Sequence, residues 1–491
     1  MKAEPGMWFA LACGLEGLLV CFALTPWVRA VAIRRGLLDR ATQFHGAHAI
    51  AVPRIGGVAL ITSFLLVWTS AALVGPRLGL PMGDAPMAVP LSCAAMFALG
   101  FCDDLRPLRA KIKLLAQIGI ALVAYAGGIR VESWTNVVTH SVQPLGWLDL
   151  PITVFWLVSV TNLVNLVDGL DGLAAGMVFI LMALLAILSV ASGNLFLLGL
   201  CMGMAGALGA FLFFNFPPAK IFMGDGGAYF LGLLVAEIAT VNANKGTIAM
   251  ALMVPFFALG LPIIDTGFSI FRRFLVGLPI FRADRRHIHH RMTAMGFSQR
   301  RVVLLLYGLC ALFFLLAIGV FIGKERWLPI FMGVFMLLVV MSARVFGYVN
   351  NWYRLGHLLS TAVLRRRHTK YALDLARLLK IEAERSESMA ELLDHFGMML
   401  HKLGFQSASL RMDSRQWEWT RPGAEARLGA QRQCTQEFRA AGDGRLLLWA
   451  DAARWDPDTV RLLAELSAEA WANAAARFAS ARDAASKEAF P

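Results

Sequence analysis

Eleven apolar runs dominate the first 348 residues of this 491-residue chain. Each is close to the length of about 20 residues that a helix needs to cross the hydrocarbon core of a bilayer. A backbone in lipid has to satisfy its own hydrogen bonds, so such runs fold as spanning helices. They predict helices at about 7–28, 50–74, 87–102, 112–129, 150–166, 173–192, 195–214, 228–243, 248–271, 302–322 and 327–348.

The composition agrees with a membrane protein that carries a soluble tail. Hydrophobic residues make up 58% of the chain, whereas soluble domains contain about 45–50% apolar residues. We expect a polytopic all-α membrane domain over 1–348, a basic juxtamembrane linker over 349–368 and a soluble cytoplasmic α+β domain over 369–491. The seven cysteines have neither zinc nor disulfide spacing.

Basic residues alternate between the loops that join the apolar runs. The first, third and ninth loops carry clusters of Arg and Lys, and the ninth holds eight arginines between Arg272 and Arg301. Positively charged loops stay on the cytoplasmic side. The pattern therefore predicts an N-terminus outside, a cytoplasmic C-terminus and an odd number of spans, about 11.

Unusual polar residues gather in the loops that are predicted to be cytoplasmic. Five such loops contain acids, amides, histidines or glycine pairs, and random scatter would not place all five on one face. The loops therefore predict one shared site at the cytoplasmic surface. Its candidate residues are Arg54, Asp103, Asp104, Asn165, Asp168, Asp171, Asn215, Lys220, Asp225, His287, His289, His290 and Arg291.

The segment Gly224-Asp225-Gly226-Gly227 begins one of the predicted helices. Free N–H groups at a helix N-terminus favour phosphate, and glycines allow a close approach of the backbone to a ligand. The Asp225 carboxylate would repel phosphate unless a divalent cation lay between them. An N-capping aspartate with glycines for tight helix packing explains the same segment equally well, so both interpretations stay open here.

The remaining acids have their own alternatives. Side chains of the neighbours Asp103 and Asp104 point about 100° apart on a helix, so one would face the site and the other its scaffold; a solvated helix end is the alternative. Asp168 and Asp171 are three residues apart and share a helical face with Asn165. Polar packing between helices is the alternative for this set.

The ninth loop supplies the opposite charge through His287, His289, His290 and Arg291. Arg and His suit phosphate oxygens, whereas the carboxylates elsewhere suit a hard cation such as Mg²⁺. An orientation signal that also attracts anionic lipid explains the arginines but not the histidines. Acids for a metal, bases for phosphate and a membrane location together indicate phosphoryl transfer to or from a lipid.

Four motifs occur in the order typical of one family. They are Asp103-Asp104, the run NLVNLVDGLDGL over 162–173, Phe222-Met223-Gly224-Asp225 and His287-Ile288-His289-His290. The membrane part, about 7–348, resembles the polyprenyl-phosphate N-acetylhexosamine-1-phosphate transferases of glycosyltransferase family 4. The resemblance implies transfer of a sugar 1-phosphate, with N-acetylglucosamine as the leading sugar, from a UDP-sugar to undecaprenyl phosphate. UMP would be released, and assembly of a cell-surface polysaccharide, such as lipopolysaccharide or a cell-wall polymer, would begin.

The resemblance also implies roles for the candidate residues. Asp225 would bind Mg²⁺, or Mn²⁺ in its place, and Asp103 would align or deprotonate the lipid phosphate. Direct attack by the lipid phosphate is favoured over an aspartyl-phosphate intermediate, which stays an alternative. The other acids would shape the metal and nucleotide site, and these are Asp104, Asp168 and Asp171. The amides and bases would bind the substrates, and these are Asn165, Asn215, Lys220, Arg54, His287, His289, His290 and Arg291.

Two departures and two alternatives accompany this assignment. Residues 40–44 lack the proline and the basic pair usual in the first loop, and most members lack a long tail.

The sequence His-Ile-His-His points away from the muramoyl-pentapeptide branch, the first alternative. The second, a secondary transporter with intramembrane acids, conflicts with acids that gather at one face. We expect a bacterial inner membrane protein with a cytoplasmic active site and no nucleic-acid partner; a homodimer stays open.

The tail shows the pattern of a small sensory domain. Ser388-Met389-Ala390-Glu391 is typical of a capping box, and Asp456-Pro457 of a later helix start. Short strands are expected between them at 407–412, 417–421, 437–441 and 445–450. This order weakly resembles GAF domains, and dimerisation or stability and ligand-dependent regulation are equally open roles.

Overall fold

A computed structural model describes most of the chain in two compact units, one before and one after residue 349. Each unit has its own hydrophobic core. The described residues are 3–39, 52–80, 87–135, 142–243, 296–322, 355–412, 415–422, 431–439, 443–451 and 457–488, with five further positions between 333 and 341.

Helices make up most of the first unit. Among the described residues, eight of them are long and apolar enough to cross a membrane. The exception is α4, whose 17 residues reach about 25 Å, less than the hydrocarbon core of about 30 Å. The helices are α1 (Ala3–Arg34), α2 (Gly57–Val74), α3 (Ala88–Leu105), α4 (Ala110–Ala126), α5 (Asp149–Val167), α6 (Leu173–Ala191), α7 (Leu195–Asn215), α8 (Gly224–Ala243) and α9 (Gln299–Ile322).

The structure confirms a mostly helical membrane part but not the full number of spans. Eight of the eleven predicted runs coincide with helices of spanning length, and the run at 112–129 coincides with the shorter α4. The run at 248–271 lies outside the described residues, and only five positions of 327–348 are described. A total of about 11 spans, and the orientation in the membrane, therefore stay predictions.

Helix α8 lies at the centre of the first unit. In its span 94% of the residues are buried, against 28% in α1, so α8 is surrounded by protein whereas much of α1 is left for lipid. Its neighbours are α2, α3, α5 and α6. A helix that is apolar all round is expected in such a position, and its N-terminus carries Asp225.

Two short hairpins were not predicted from the sequence. Strands β1 (Leu38–Asp39) and β2 (Val52–Pro53) pair next to the start of α2, and β3 (Ser133–Thr135) pairs with β4 (Val142–Pro144) between α4 and α5. Strands of two or three residues leave almost no alternating pattern. The first pair fixes the chain that leads into the Arg54 segment.

The second unit is an α+β domain, as predicted. Its sheet is antiparallel with the order β6-β5-β8-β7, and the third predicted strand begins at Gln431, earlier than expected. The helices are α10 (Leu355–Arg385), α11 (Met389–Leu403) and α12 (Pro457–Glu488), and the strands are β5 (Phe405–Met412), β6 (Arg415–Thr420), β7 (Gln431–Arg439) and β8 (Asp443–Asp451).

The predicted capping box begins α11. The Ser388 hydroxyl accepts a hydrogen bond from the Glu391 N–H at 3.2 Å, and the Glu391 carboxylate accepts one from the Glu387 N–H at 2.7 Å. The apolar face behind it is buried against the sheet, with Phe396 packed on Trp471 of α12 at 5.0 Å between ring centroids. A resemblance to GAF domains stays a prediction.

We predict that the contact between α3 and α8 depends on Gly100. A Cβ at Gly100 would lie 2.4 Å from the Asp225 carbonyl oxygen, whereas a Cβ at Gly119 of α4 meets nothing within 4 Å. Gly100→Ala should destabilise the protein by about 1–3 kcal/mol, the usual cost of overpacking, and Gly119→Ala should not. Thermal unfolding in detergent measures both. Equal melting temperatures for the two variants would contradict the close packing described here.

Candidate active site

Three backbone hydrogen bonds join the first polar loop to the segment before α8. The Phe222 N–H donates to the Pro53 carbonyl oxygen at 2.7 Å, the Gly56 N–H to Phe222 at 2.8 Å, and the Gly57 N–H to Met223 at 2.9 Å. This ladder crosses more than 160 residues of sequence. It brings two motifs that lie far apart in the chain to one end of the helix bundle.

The backbone conformation and the surroundings of Gly224 both require a glycine at this position. Its φ is +75°, a region that residues with a side chain rarely adopt. A Cβ there would also lie 2.1 Å from the Arg54 carbonyl oxygen and 2.6 Å from a carboxylate oxygen of Asp104. The glycine therefore allows the Arg54 and Asp104 elements to close on the start of α8.

Asp104 caps α8 from the neighbouring helix. Its two carboxylate oxygens accept hydrogen bonds from the N–H groups of Asp225 and Gly226, both at 3.0 Å. These N–H groups begin a helix and have no partner inside it, and a negative charge there is also favoured by the helix dipole. The structure thus gives Asp104, expected among the catalytic acids, a positioning contact with the helix that carries Asp225.

Asp103 pairs with a lysine beside the start of α8. One oxygen accepts a hydrogen bond from the Leu108 N–H at 2.7 Å, and the other forms an ion pair with the Lys113 ammonium. The same ammonium lies 3.6 Å from a carboxylate oxygen of Asp225. Lys113 therefore bridges the last turn of α3 and the first turn of α8.

Lys113 is a site residue that the sequence analysis missed. In the sequence it belongs to the basic third loop, which predicts only the orientation in the membrane. It lies ten residues after Asp103, on the first turn of α4, which follows a short connection from α3. This spacing is the feature of the sequence that could have indicated the pair. A helix that folds back after a short turn can bring a lysine on its first turn close to an acid at the end of the preceding helix.

Asp168 ends α5 beside the other acids. Its removal from solvent, and then the nearby carboxylates of Asp225, Asp104 and Asp171, raise the pKa of Asp168 to about 8. The Arg54 charge acts in the opposite direction but is the smaller effect. The raised pKa therefore reflects burial first and the crowding of carboxylates at this end of the bundle second.

Asp171 and Asn215 shape the loop that precedes α8. Asp171 is 6% exposed and accepts a hydrogen bond from the Ala219 N–H at 2.9 Å. The Asn215 amide, 2% exposed, donates to the Ile221 carbonyl oxygen at 2.8 Å, and its own oxygen has no hydrogen-bond partner among the described residues. Both contacts hold the loop 216–223 against the ends of α6 and α7.

The other expected binding residues are less closely engaged. The Lys220 ammonium lies 5.7 Å from the ring centroid of Phe213, an exposed side chain of α7, and the Lys220 carbonyl accepts a hydrogen bond from Arg29 at 3.1 Å. Asn165 lies half-buried on the last turn of α5. The predicted phosphate-binding residues His287, His289, His290 and Arg291 lie outside the described residues.

The donor set fits a hard divalent cation. Asp168 and Asp225 present carboxylate oxygens, the ligands that Mg²⁺ prefers. In the described part of the chain, no three His, Cys, Asp or Glu side chains converge closely enough to enclose an ion as they stand. Mg²⁺ commonly takes one or two carboxylates, with substrate phosphates and water completing its shell, and that mode matches this arrangement.

Comparisons with known proteins agree with the motifs. The family model described as glycosyl transferase family 4 matches residues 87–243. A probable undecaprenyl-phosphate N-acetylglucosaminyl 1-phosphate transferase of Bacillus subtilis (strain 168) is 35% identical over 343 residues, which cover 69% of this chain and 93% of the relative.

Two further relatives have similar names. A decaprenyl-phosphate N-acetylglucosaminephosphotransferase of Mycolicibacterium smegmatis is 30% identical over 60% of this chain and 78% of its own length. An undecaprenyl-phosphate alpha-N-acetylglucosaminyl 1-phosphate transferase of Escherichia coli (strain K12) is 25% identical over 66% of this chain and 86% of its own length.

We predict that Asp104 contributes to stability through its cap on α8. Asp104→Ala removes both acceptors and should lower the free energy of unfolding by about 0.5–2 kcal/mol, the usual cost of losing a cap. Asp104→Asn keeps one acceptor oxygen and should lose less. Thermal unfolding in detergent compares them. If both variants melt with the wild type, the capping contact does not hold the start of α8.

Proposed function

Because the chain belongs to glycosyl transferase family 4, we propose that it transfers N-acetylglucosamine 1-phosphate from UDP-N-acetylglucosamine to undecaprenyl phosphate. The named relatives act on undecaprenyl or decaprenyl phosphate. The acceptor is therefore a lipid with a phosphate headgroup, and the donor would approach from water. A multi-pass membrane protein with its polar site at one end of the bundle can bind both.

The observation that carries the proposal is the meeting of acids and Lys113 at the ends of α3, α5 and α8. Asp103 pairs with Lys113, and Asp225 lies 3.6 Å from the same ammonium. Like-charged carboxylates repel at such distances, so the cluster requires cations and polar donors. The divalent cation that accompanies a diphosphate substrate would supply the positive charge that faces the acids.

The proposed reaction is one displacement at phosphorus. An oxygen of undecaprenyl phosphate forms a bond to the phosphorus that carries the sugar, and the bond from that phosphorus to the bridging oxygen breaks. UMP leaves with the bridging oxygen and its electron pair. The product is undecaprenyl-diphospho-N-acetylglucosamine, and such transfers rely on positioning and charge neutralisation rather than on covalent help from the protein.

The contacts of Asp103 favour this direct displacement over an aspartyl-phosphate intermediate formed on that residue. Both of its oxygens are engaged, one by Lys113 and one by the Leu108 N–H. A carboxylate held in this way is a weak nucleophile and a weak base. We therefore assign Asp103 the role of orienting Lys113, whose ammonium would contact the phosphate oxygens of the substrates.

Asp225, with Asp168 beside it, would hold the divalent cation, which we take to be Mg²⁺ with Mn²⁺ as a substitute. When bound, such a cation neutralises the charge that develops on the leaving phosphate. Asp104 positions Asp225 through the backbone of α8. Asp171 and Asn215 fix the loop before α8, so its shape would set the space for the nucleotide.

The site is proposed to face the cytoplasm of a bacterial cell, from the inner membrane. Its support is the alternation of basic loops, which predicts that the ends of α3, α5 and α7 lie inside. UDP-sugars are cytoplasmic, so this side also gives access to the donor. The lipid-linked product would then begin a cell-surface polysaccharide.

The purified full chain in lipid nanodiscs tests the proposal. Undecaprenyl phosphate, UDP-N-acetylglucosamine and Mg²⁺ should yield UMP and the lipid-diphosphate sugar in equal amounts, followed by mass spectrometry. Asp225→Asn should reduce turnover by at least about 10²-fold, because a ligand that positions the reacting groups is lost, while the protein stays folded. UDP-N-acetylgalactosamine in place of the donor tests the choice of sugar.

Two results would contradict the proposal. One is the absence of any lipid-linked product from folded wild-type protein with either sugar. The other is UMP release that continues at the same rate without the lipid, since the reaction would then be hydrolysis. A reaction with N-acetylgalactosamine alone would correct the sugar and leave the reaction type standing.

We also predict that Mg²⁺ binds more tightly as the pH rises toward 8. The pKa of Asp168 is raised to about 8, so its carboxyl group is mostly protonated at neutral pH and has to lose the proton when a cation binds. Calorimetry in two buffers of different ionisation enthalpy should show proton release below that pH and little above it. Affinity that is independent of pH would remove Asp168 from the metal site.

A further inference from the structure

A second carboxyl group lies in the same helix as Asp225, far from the reacting groups. Glu237 is on α8, twelve residues after Asp225 and about 18 Å further along the helix. It is fully buried. Its carboxylate oxygens lie 2.6 Å from the Ser92 hydroxyl and 3.4 Å from the Cys93 thiol, both on α3.

This location is costly for a charged group. A carboxylate inside a membrane protein needs a cation or several donors. The contacts that the described residues provide to Glu237 come from a hydroxyl and a thiol, which are neutral. The proposed mechanism gives Glu237 no part, so its presence in α8 calls for a separate reason.

The protons available for hydrogen bonding indicate whether Glu237 is neutral or charged. The Ser92 oxygen lies 2.7 Å from the Ala88 carbonyl oxygen as well as 2.6 Å from Glu237. A hydroxyl donates only one proton, and a carbonyl oxygen only accepts. If Ser92 donates to Ala88, the short contact with Glu237 needs a proton from the acid, and Cys93 then donates to its other oxygen.

We propose that Glu237, as a neutral carboxylic acid, is a positioning residue that fixes the register of α3 against α8. Ser92 lies eleven residues before Asp103 on α3, and Glu237 lies twelve residues after Asp225 on α8. The two helices run antiparallel, so the contact of Glu237 with Ser92 and Cys93 and the acid cluster lie at opposite ends of one interface. A shift of α3 along α8 at the Glu237 contact would therefore also move the acids of α3 relative to Asp225.

At the far end of this interface the Asp104 cap joins the two helices by hydrogen bonds. Between that cap and Glu237 the contacts come from small or apolar residues such as Gly100, Gly226 and Phe97, which supply no hydrogen-bonding side chain. A hydrogen-bonded acid has a defined partner and distance. Because a misplacement of about 1 Å can cost about 10²-fold in rate, a fixed register keeps Asp103 and Lys113 opposite Asp225.

The experiment compares Glu237→Gln with Glu237→Leu in the nanodisc assay, and it rests on the proposed function for its readout. The amide of Gln can donate to Ser92 and accept from Cys93, as the neutral acid does, so kcat should stay within about twofold of wild type. Leu fills the space without hydrogen bonds, and kcat should fall about tenfold. KM for the UDP-sugar should stay unchanged in both, because the nucleotide contacts are not altered.

Glu16 provides a matched control. It is a carboxyl group in α1 that accepts a hydrogen bond from Ser70 at 2.6 Å, and it joins α1 to α2 rather than α3 to α8. Glu16→Leu should leave kcat at the wild-type value. If Glu237→Leu fails to fold, the double variant Ser92→Ala/Cys93→Ala removes the same contacts from α3 and should lower kcat in the same way.

Three outcomes would overturn the inference. They are a Gln variant as slow as the Leu variant, which would mean that a charged Glu237 is needed; a folded Leu variant with wild-type kcat; and a change confined to KM. Inactive wild-type protein would instead contradict the proposed function, so the two failures are distinguishable.

Discussion

The pairing of Asp104 with the start of α8 is the contact on which the rest of the site depends. Its two oxygens hold the N–H groups of Asp225 and Gly226 at 3.0 Å, so the end of α3 and the beginning of α8 form one unit. The neighbouring Asp103 pairs with Lys113, whose ammonium also lies 3.6 Å from Asp225. The two adjacent acids thus have different roles. Asp104 caps the start of α8, and Asp103 pairs with the positive charge of Lys113 beside it.

The surrounding structure makes this contact sterically and electrostatically feasible. The position of Gly224, with a φ of +75°, and the closeness of Gly100 to the Asp225 carbonyl leave no room for a Cβ. Without the positive charge of Lys113, the acids of three helices would repel each other at close range. Burial, and then the neighbouring carboxylates, raise the pKa of Asp168 to about 8, and a divalent cation at the site would offset part of the repulsion between the acids.

Hydrophobic runs and motif order predicted much of this arrangement, and contacts across the fold account for the rest. Helix positions follow from apolar length, and the capping box at Ser388 is a local signal, so both were predictable. The pairing of Lys113 with Asp103 was missed, because it depends on how α4 folds back after a short turn. The sequence places Asp104 among the catalytic acids and does not predict its cap on α8. That cap joins residues 121 positions apart, and no local pattern indicates such a contact. The two short hairpins are too brief to leave a pattern.

Direct observation of a metal ion tests the central claim, that Asp225 at the start of α8 and Asp168 at the end of α5 hold a divalent cation for phosphoryl transfer. Mn²⁺ can be titrated into the nanodisc-embedded protein and followed by electron paramagnetic resonance, with UDP-N-acetylglucosamine present and absent. The account predicts one tightly bound Mn²⁺ per chain, strengthened by the nucleotide and lost in Asp225→Asn, while Glu16→Leu binds as the wild type does. Equal Mn²⁺ binding by wild type and Asp225→Asn would contradict it.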